Sequence, residues 1–106
     1  MNKNDFKELY EQMLKEESVL VSTKGEEYTL QNEDQLYNFK VVAFLTGLTP
    51  EQVASVYMAK HFLSIMNYTR EGKTISEEPI AERISDLRNY LALFRGITED
   101  NKEDKC

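Results

Sequence analysis

The stretch 77–97, EEPIAERISDLRNYLALFRGI, most constrains what this chain can fold into, because it carries two distinct faces at helical spacing. At about 3.6 residues per turn, Ile80, Ile84, Leu87, Leu91 and Phe94 fall within about a fifth of a turn of one another. That is the stripe of a core-facing helix. Glu78, Glu82, Asp86 and Asn89 lie on the opposite side together with Leu93. The first face needs a partner element, and the second either meets water or holds a ligand.

A chain of 106 residues with 41% apolar content can build one core but not two, so residues 1–97 are expected as a single domain and 98–106 as a polar tail. Only two prolines and four glycines interrupt it. Leu, Glu, Lys, Ala, Met and Gln dominate the periodic stretches, which predicts an all-α protein. The net charge of -6 argues against a general nucleic-acid backbone binder, since counterion release needs clustered Lys and Arg. An acidic domain can still bind nucleotides where a metal ion bridges carboxylate and phosphate. The single cysteine, Cys106, ends the tail, so no internal disulfide is expected and a reducing compartment fits. With no apolar leader and no stretch of about 18 apolar residues, a cytoplasmic protein away from any membrane is expected.

Along the chain, the first helix should start near Asn2 to Asp5 and bury Phe6, Leu9, Tyr10, Met13 and Leu14. Ser22, Thr23, Lys24 and Gly25 should end it, with 26–35 a loop. A short second helix should start at Asn32 or Glu33, bury Leu36, Phe39, Ala43 and one of Val42 or Thr46, and close at Gly47. Thr49, Pro50 and Gln52 form the clearest boundary, a capping box with proline in the first turn. The helix they open is apolar nearly all round, as a centrally packed helix is, and Lys60 and His61 interrupt it. Residues 68–74 should be a charged linker, Ser76 should cap the last helix, Pro79 should sit in its first turn, and 98–106 should fray.

Several residues can carry chemistry. Glu78, Glu82 and Asp86 are successive i, i+4 neighbours, carboxylates roughly 5–6 Å apart whose repulsion a divalent cation would relieve. A solvated acidic face at a helix N-terminus accounts for the same spacing. Lys60 can snorkel from the apolar helix or meet a phosphate, and His61 can be an interior imidazole or part of a site. One histidine and one terminal cysteine do not make a zinc site, and neither a P-loop nor a dinucleotide fingerprint is present.

The order Lys24-Gly-x-Glu27-Tyr28, Asp34 with Asn38-Phe39, Lys60-His61, and Glu78-x₃-Glu82-x₃-Asp86-x₂-Asn89-Tyr90 resembles small phage and prophage proteins of the nucleotide-modification-associated type. Those are similar to the MazG-like all-α nucleotide pyrophosphohydrolase group, and the resemblance spans about residues 5–97. It implies a four-helix MazG-like bundle, homodimeric or homotetrameric, holding Mg²⁺ over a nucleoside triphosphate in the cytoplasm of a bacterial host. Glu82 and Asp86 match the group's second acidic motif, followed by Tyr90 and Leu91 at its aromatic and leucine positions. The group's early Glu-x-x-Glu pair has no secure counterpart: Glu8 and Glu11 have the spacing but lie far upstream.

The resulting expectation has Glu82 and Asp86 as catalytic carboxylates that bind Mg²⁺ with Glu27 or Asp34. The ion would bridge the phosphates and lower the pKa of a water for attack on the α-phosphorus. Lys24 and Lys60 would neutralise charge, while Tyr28, Asn38, His61 and Asn89 would reach phosphate, base or sugar. Two other classes stand beside the enzyme. One is a non-catalytic protein that sequesters a nucleotide or signalling nucleotide or docks on a host protein, and the other is a structural helical module.

Overall fold

A computed structural model describes the backbone of residues 1–29, 33–74 and 77–104, and the side chains of 1–19, 33–74 and 77–102. All regular structure among them is helical: α1 (Lys3–Thr29), α2 (Tyr37–Thr46), α3 (Pro50–Glu71) and α4 (Ile80–Asp104). The chain divides into two compact units, Met1–Gln35 and Leu36–Cys106.

In the first unit, Asn2 caps α1 through a reciprocal pair. The Asp5 amide donates to Asn2 Oδ1 at 2.8 Å, and the Asn2 amide donates to Asp5 Oδ2 at 3.4 Å. The predicted stop at 22–25 does not occur, for α1 runs on to Thr29 with Gly25 inside it. A mid-helix glycine costs only about 1 kcal/mol relative to alanine, a penalty that a long run of helix-compatible neighbours can absorb. The predicted buried stripe is also corrected. Phe6 is 57% exposed, and Leu9, Tyr10 and Leu14 are exposed as well, leaving Met13 half-buried.

In the second unit, α2 starts at Tyr37, several residues later than predicted; of the two proposed starts, Glu33 precedes the helix and Asn32 lies outside the described residues. Its inner face is as expected, with Leu36, Phe39 and Ala43 buried and Val42, rather than Thr46, packed beside them. Gly47 closes α2 in the left-handed conformation (φ 73°), its amide donating to the Ala43 carbonyl at 3.0 Å. The Thr49 capping box forms in both directions: the Gln52 amide donates to Thr49 Oγ1 at 3.2 Å, and the Thr49 amide to Gln52 Oε1 at 2.9 Å. The predicted linker at 68–74 is mostly helix, since α3 persists to Glu71 and stops at Gly72 (φ 72°). Ser76 lies outside the described residues, while the Pro79 carbonyl accepts from the Glu82 amide at 3.0 Å as α4 begins.

The core gathers Leu36, Phe39, Ala43, Val53, Ala54 and Ile97, with Tyr57, Tyr90, Leu93 and Phe94 against it. It joins α2, the first half of α3 and the second half of α4. That packing explains why 98–104 is helix and not a frayed tail. Ile97 is buried, Asn101 Nδ2 donates to Glu51 Oε1 at 2.6 Å, and Lys40 pairs with Asp100 at 3.5 Å. Gly96 lies against the Leu36 side chain, where a Cβ would make only ordinary contact, 3.6 Å from Leu36 Cδ2.

α4 is turned by about a quarter of a turn from the expected orientation. Asp86, Tyr90, Leu93 and Ile97, spaced i, i+4, i+7, i+11, face inward, whereas Ile84 is exposed and Leu91 is 51% exposed. Of the predicted core stripe, Phe94 alone packs on the core cluster. Aromatic area decides the matter physically: Tyr90 meets three rings on that side, a larger burial than the aliphatic stripe is offered.

Candidate functional site: a buried carboxylate beside an aromatic column

Beyond the core, the contact between α3 and α4 becomes polar. Tyr57 and His61 are one turn apart on α3, and Asp86 and Tyr90 are one turn apart on α4. Tyr57 stacks on Tyr90 with centroids 5.6 Å apart and planes at 20°, and His61 stacks on Tyr90 at 5.1 Å and 26°. Phe39 meets both tyrosines edge-on, at 6.1 and 6.2 Å. Three rings from α3 and α4 therefore form a column with His61 at its end, and Phe39 of α2 packs edge-on against it.

Asp86 lies beside this column and is 8% exposed, the one buried charged residue among those described. Removing a carboxylate from water is costly unless charges and donors surround it. Arg83, one turn back, pairs with Glu78 at 3.2 Å. The His61 pKa lies below 6.5, chiefly through desolvation, with Lys60 and Arg83 pushing the same way while Asp86 and Glu78 oppose them. The imidazole is thus neutral at pH 7. Its Nδ1 is buried and lacks a hydrogen-bond partner, a condition that costs about 1–3 kcal/mol where water is excluded.

No family model, curated protein or solved structure is significantly similar to the chain.

Only part of the expected site is gathered here. Asp86 and His61 come together, with Lys60 exposed next to His61, Glu82 exposed one turn before Asp86, and Asn89 half-buried three residues after it. Asn38 is half-buried on α2 beside Phe39. Asp34 is half-buried in the first unit. Lys24, Glu27 and Tyr28 belong to the last turns of α1, and their side chains lie outside those described.

Among the described residues, no three His, Cys, Asp or Glu side chains are grouped as a metal cage. Glu82 and Asp86, one turn apart, nevertheless offer the one or two carboxylates with which Mg²⁺ is commonly held beside substrate phosphates. The stacking roles of Tyr57 and Phe39 were not foreseen. The i, i+4 pairing of Tyr57 with His61 was the available signal, and an apolar helix rich in aromatics made it look like ordinary core. Among the described residues, no helix is long and apolar enough to cross a membrane.

Proposed function

We propose that this protein binds a nucleotide through Mg²⁺, with Asp86 and Glu82 as the carboxylates that hold the ion. The burial of Asp86 carries the reading, because a carboxylate kept out of water beside an imidazole is costly for a helix pair that could have used an apolar residue. The bound ion would neutralise phosphate charge at the start of α4. Lys60 would add a point charge for phosphate, His61 would present a ring face and an imidazole nitrogen to the base, and Asn89 would reach sugar or base. Of the activities such a site can serve, pyrophosphate release from a nucleoside triphosphate fits the resemblance to the MazG-like group and a role in phage nucleotide metabolism. The same resemblance suggests a homodimer or homotetramer in the cytoplasm of a bacterial host.

Binding without turnover is the second reading, favoured by one observation. Glu82 and Asp86 are two carboxylates, fewer than a self-sufficient catalytic cage, among the described residues. A screen of ribo- and deoxyribonucleoside triphosphates with Mg²⁺, followed by pyrophosphate release and thermal shift, separates the two. Release that disappears in Asp86→Asn supports the enzyme; a Mg²⁺-dependent shift without release supports sequestration. No shift and no release with any nucleotide would sink both.

A further inference from the structure

The polar end of the α3–α4 pair holds a cation that the nucleotide reading has not yet used. Arg83, Asp86 and Tyr90 follow one another at steps of three and four residues, so they share the face of α4 that turns toward α3. A long cationic side chain ordinarily carries its head group out to water, as the exposed Lys60 does. The Arg83 side chain is instead only 18% exposed. Its Nη2 donates to Glu78 Oε2 at 3.2 Å, and its charge reaches His61, whose protonation it opposes. Glu78 precedes the first turn of α4, so the pair ties the guanidinium to the end of the helix where Glu82 and Asp86 stand.

A cation fixed at that point has two successive roles. Without a ligand, its positive charge offsets the buried carboxylate of Asp86. With Mg²⁺ on Asp86 and Glu82, the ion takes over that role. A single divalent ion neutralises only part of the charge of a triphosphate, and a second fixed cation completes the work. A guanidinium is suited to it, because its planar fork of five N–H donors matches phosphate oxygens in pairs, which the point charge of a lysine does not.

We propose that Arg83 is the phosphate-binding arginine of this site, set in place by Glu78, and that the site recognises its nucleotide by the phosphate chain. The inference rests on the nucleotide reading above. Calorimetric titration of the full chain with Mg²⁺ alone, and with Mg²⁺ plus each common ribo- and deoxyribonucleoside triphosphate, tests it. Arg83→Gln should bind Mg²⁺ alone as tightly as the unaltered chain or more tightly, because a competing positive charge is gone. The same variant should bind the Mg²⁺–triphosphate about ten- to a hundredfold more weakly. An arginine with a structural role alone would lower both affinities together. Arg83→Lys keeps the charge and removes the fork, so it should match the unaltered chain with Mg²⁺ alone and still bind the triphosphate more weakly. Arg95→Gln, exposed and paired with Glu99, should alter neither. Equal triphosphate affinity for Arg83→Gln and the unaltered chain, or a parallel loss of Mg²⁺ and triphosphate binding in both Arg83 variants, overturns the proposal and leaves the nucleotide reading standing. If the unaltered chain binds no triphosphate, that reading fails and the proposal falls with it.

Discussion

At one end of the α3–α4 pair, Val53 and Ala54 gather with Ile97 and the ring of Phe39; at the other, His61 lies on Tyr90 with Asp86, Arg83 and Glu78 around it. The two ends belong to the same pair of helices and do opposite work. The first removes apolar area from water, which stabilises by about 25 cal/mol per Å². The second keeps a carboxylate and an imidazole nitrogen away from water, and neither is favourable to bury. On the proposed reading, one end serves stability and the other a ligand.

That contrast can be broken most forcefully at the apolar end. Phe39→Ala should lower the unfolding free energy by about 3–5 kcal/mol, read from urea denaturation, since it leaves a cavity in the core and removes the edge contacts to both tyrosines. Asp86→Asn tests the polar end, since it keeps the side chain's shape and removes the charge. If the carboxylate is kept for a ligand, any Mg²⁺–nucleotide thermal shift should vanish while stability changes by less than about 2 kcal/mol. A loss as large as that for Phe39→Ala would make the two ends alike and remove the distinction.

Outside both ends, Gly47→Ala should cost roughly 1–2 kcal/mol, because a Cβ meets no neighbour there and the penalty comes from the left-handed backbone alone. The smallest effect is the pH response of His61. Its folded pKa lies below the unfolded 6.5, so below that value the unfolded chain binds more protons. Stability should therefore decline as pH falls through 6.5 and level off below the folded pKa. In His61→Gln that part of the acid sensitivity should disappear from thermal melts recorded between pH 7.5 and 5.

Local chemistry was readable wherever a helix end is made by its own neighbours. The Asn2 start, the Thr49–Gln52 box, Pro50 and the Gly47 stop all follow from short-range hydrogen bonding or backbone sterics, and the all-helical class follows from composition. Two of the failures, Gly25 and 98–104, have the same origin. A glycine or a polar run only biases a helix to end, by about a kcal/mol per residue, and Ile97, Asp100 and Asn101 gain contacts that extend α4 past its expected limit. Within the candidate site, Asp86 and His61 were legible as isolated polar residues on helical faces. Their association through Tyr90 was not, because it depends on which side of α4 turns toward α3.

Helical periodicity alone shows that α4 has two faces. Read without partners, it puts the aliphatic face in the core. Periodicity identifies rows of residues but assigns no partner to them, and the aliphatic row Ile80, Ile84, Leu87, Leu91 looked the more hydrophobic of the two. The tertiary structure chose the row containing Asp86, Tyr90, Leu93 and Ile97, because Phe39, Tyr57 and His61 offer rings for Tyr90. Burial is a property of pairs of surfaces, and the second surface came from α2 and α3.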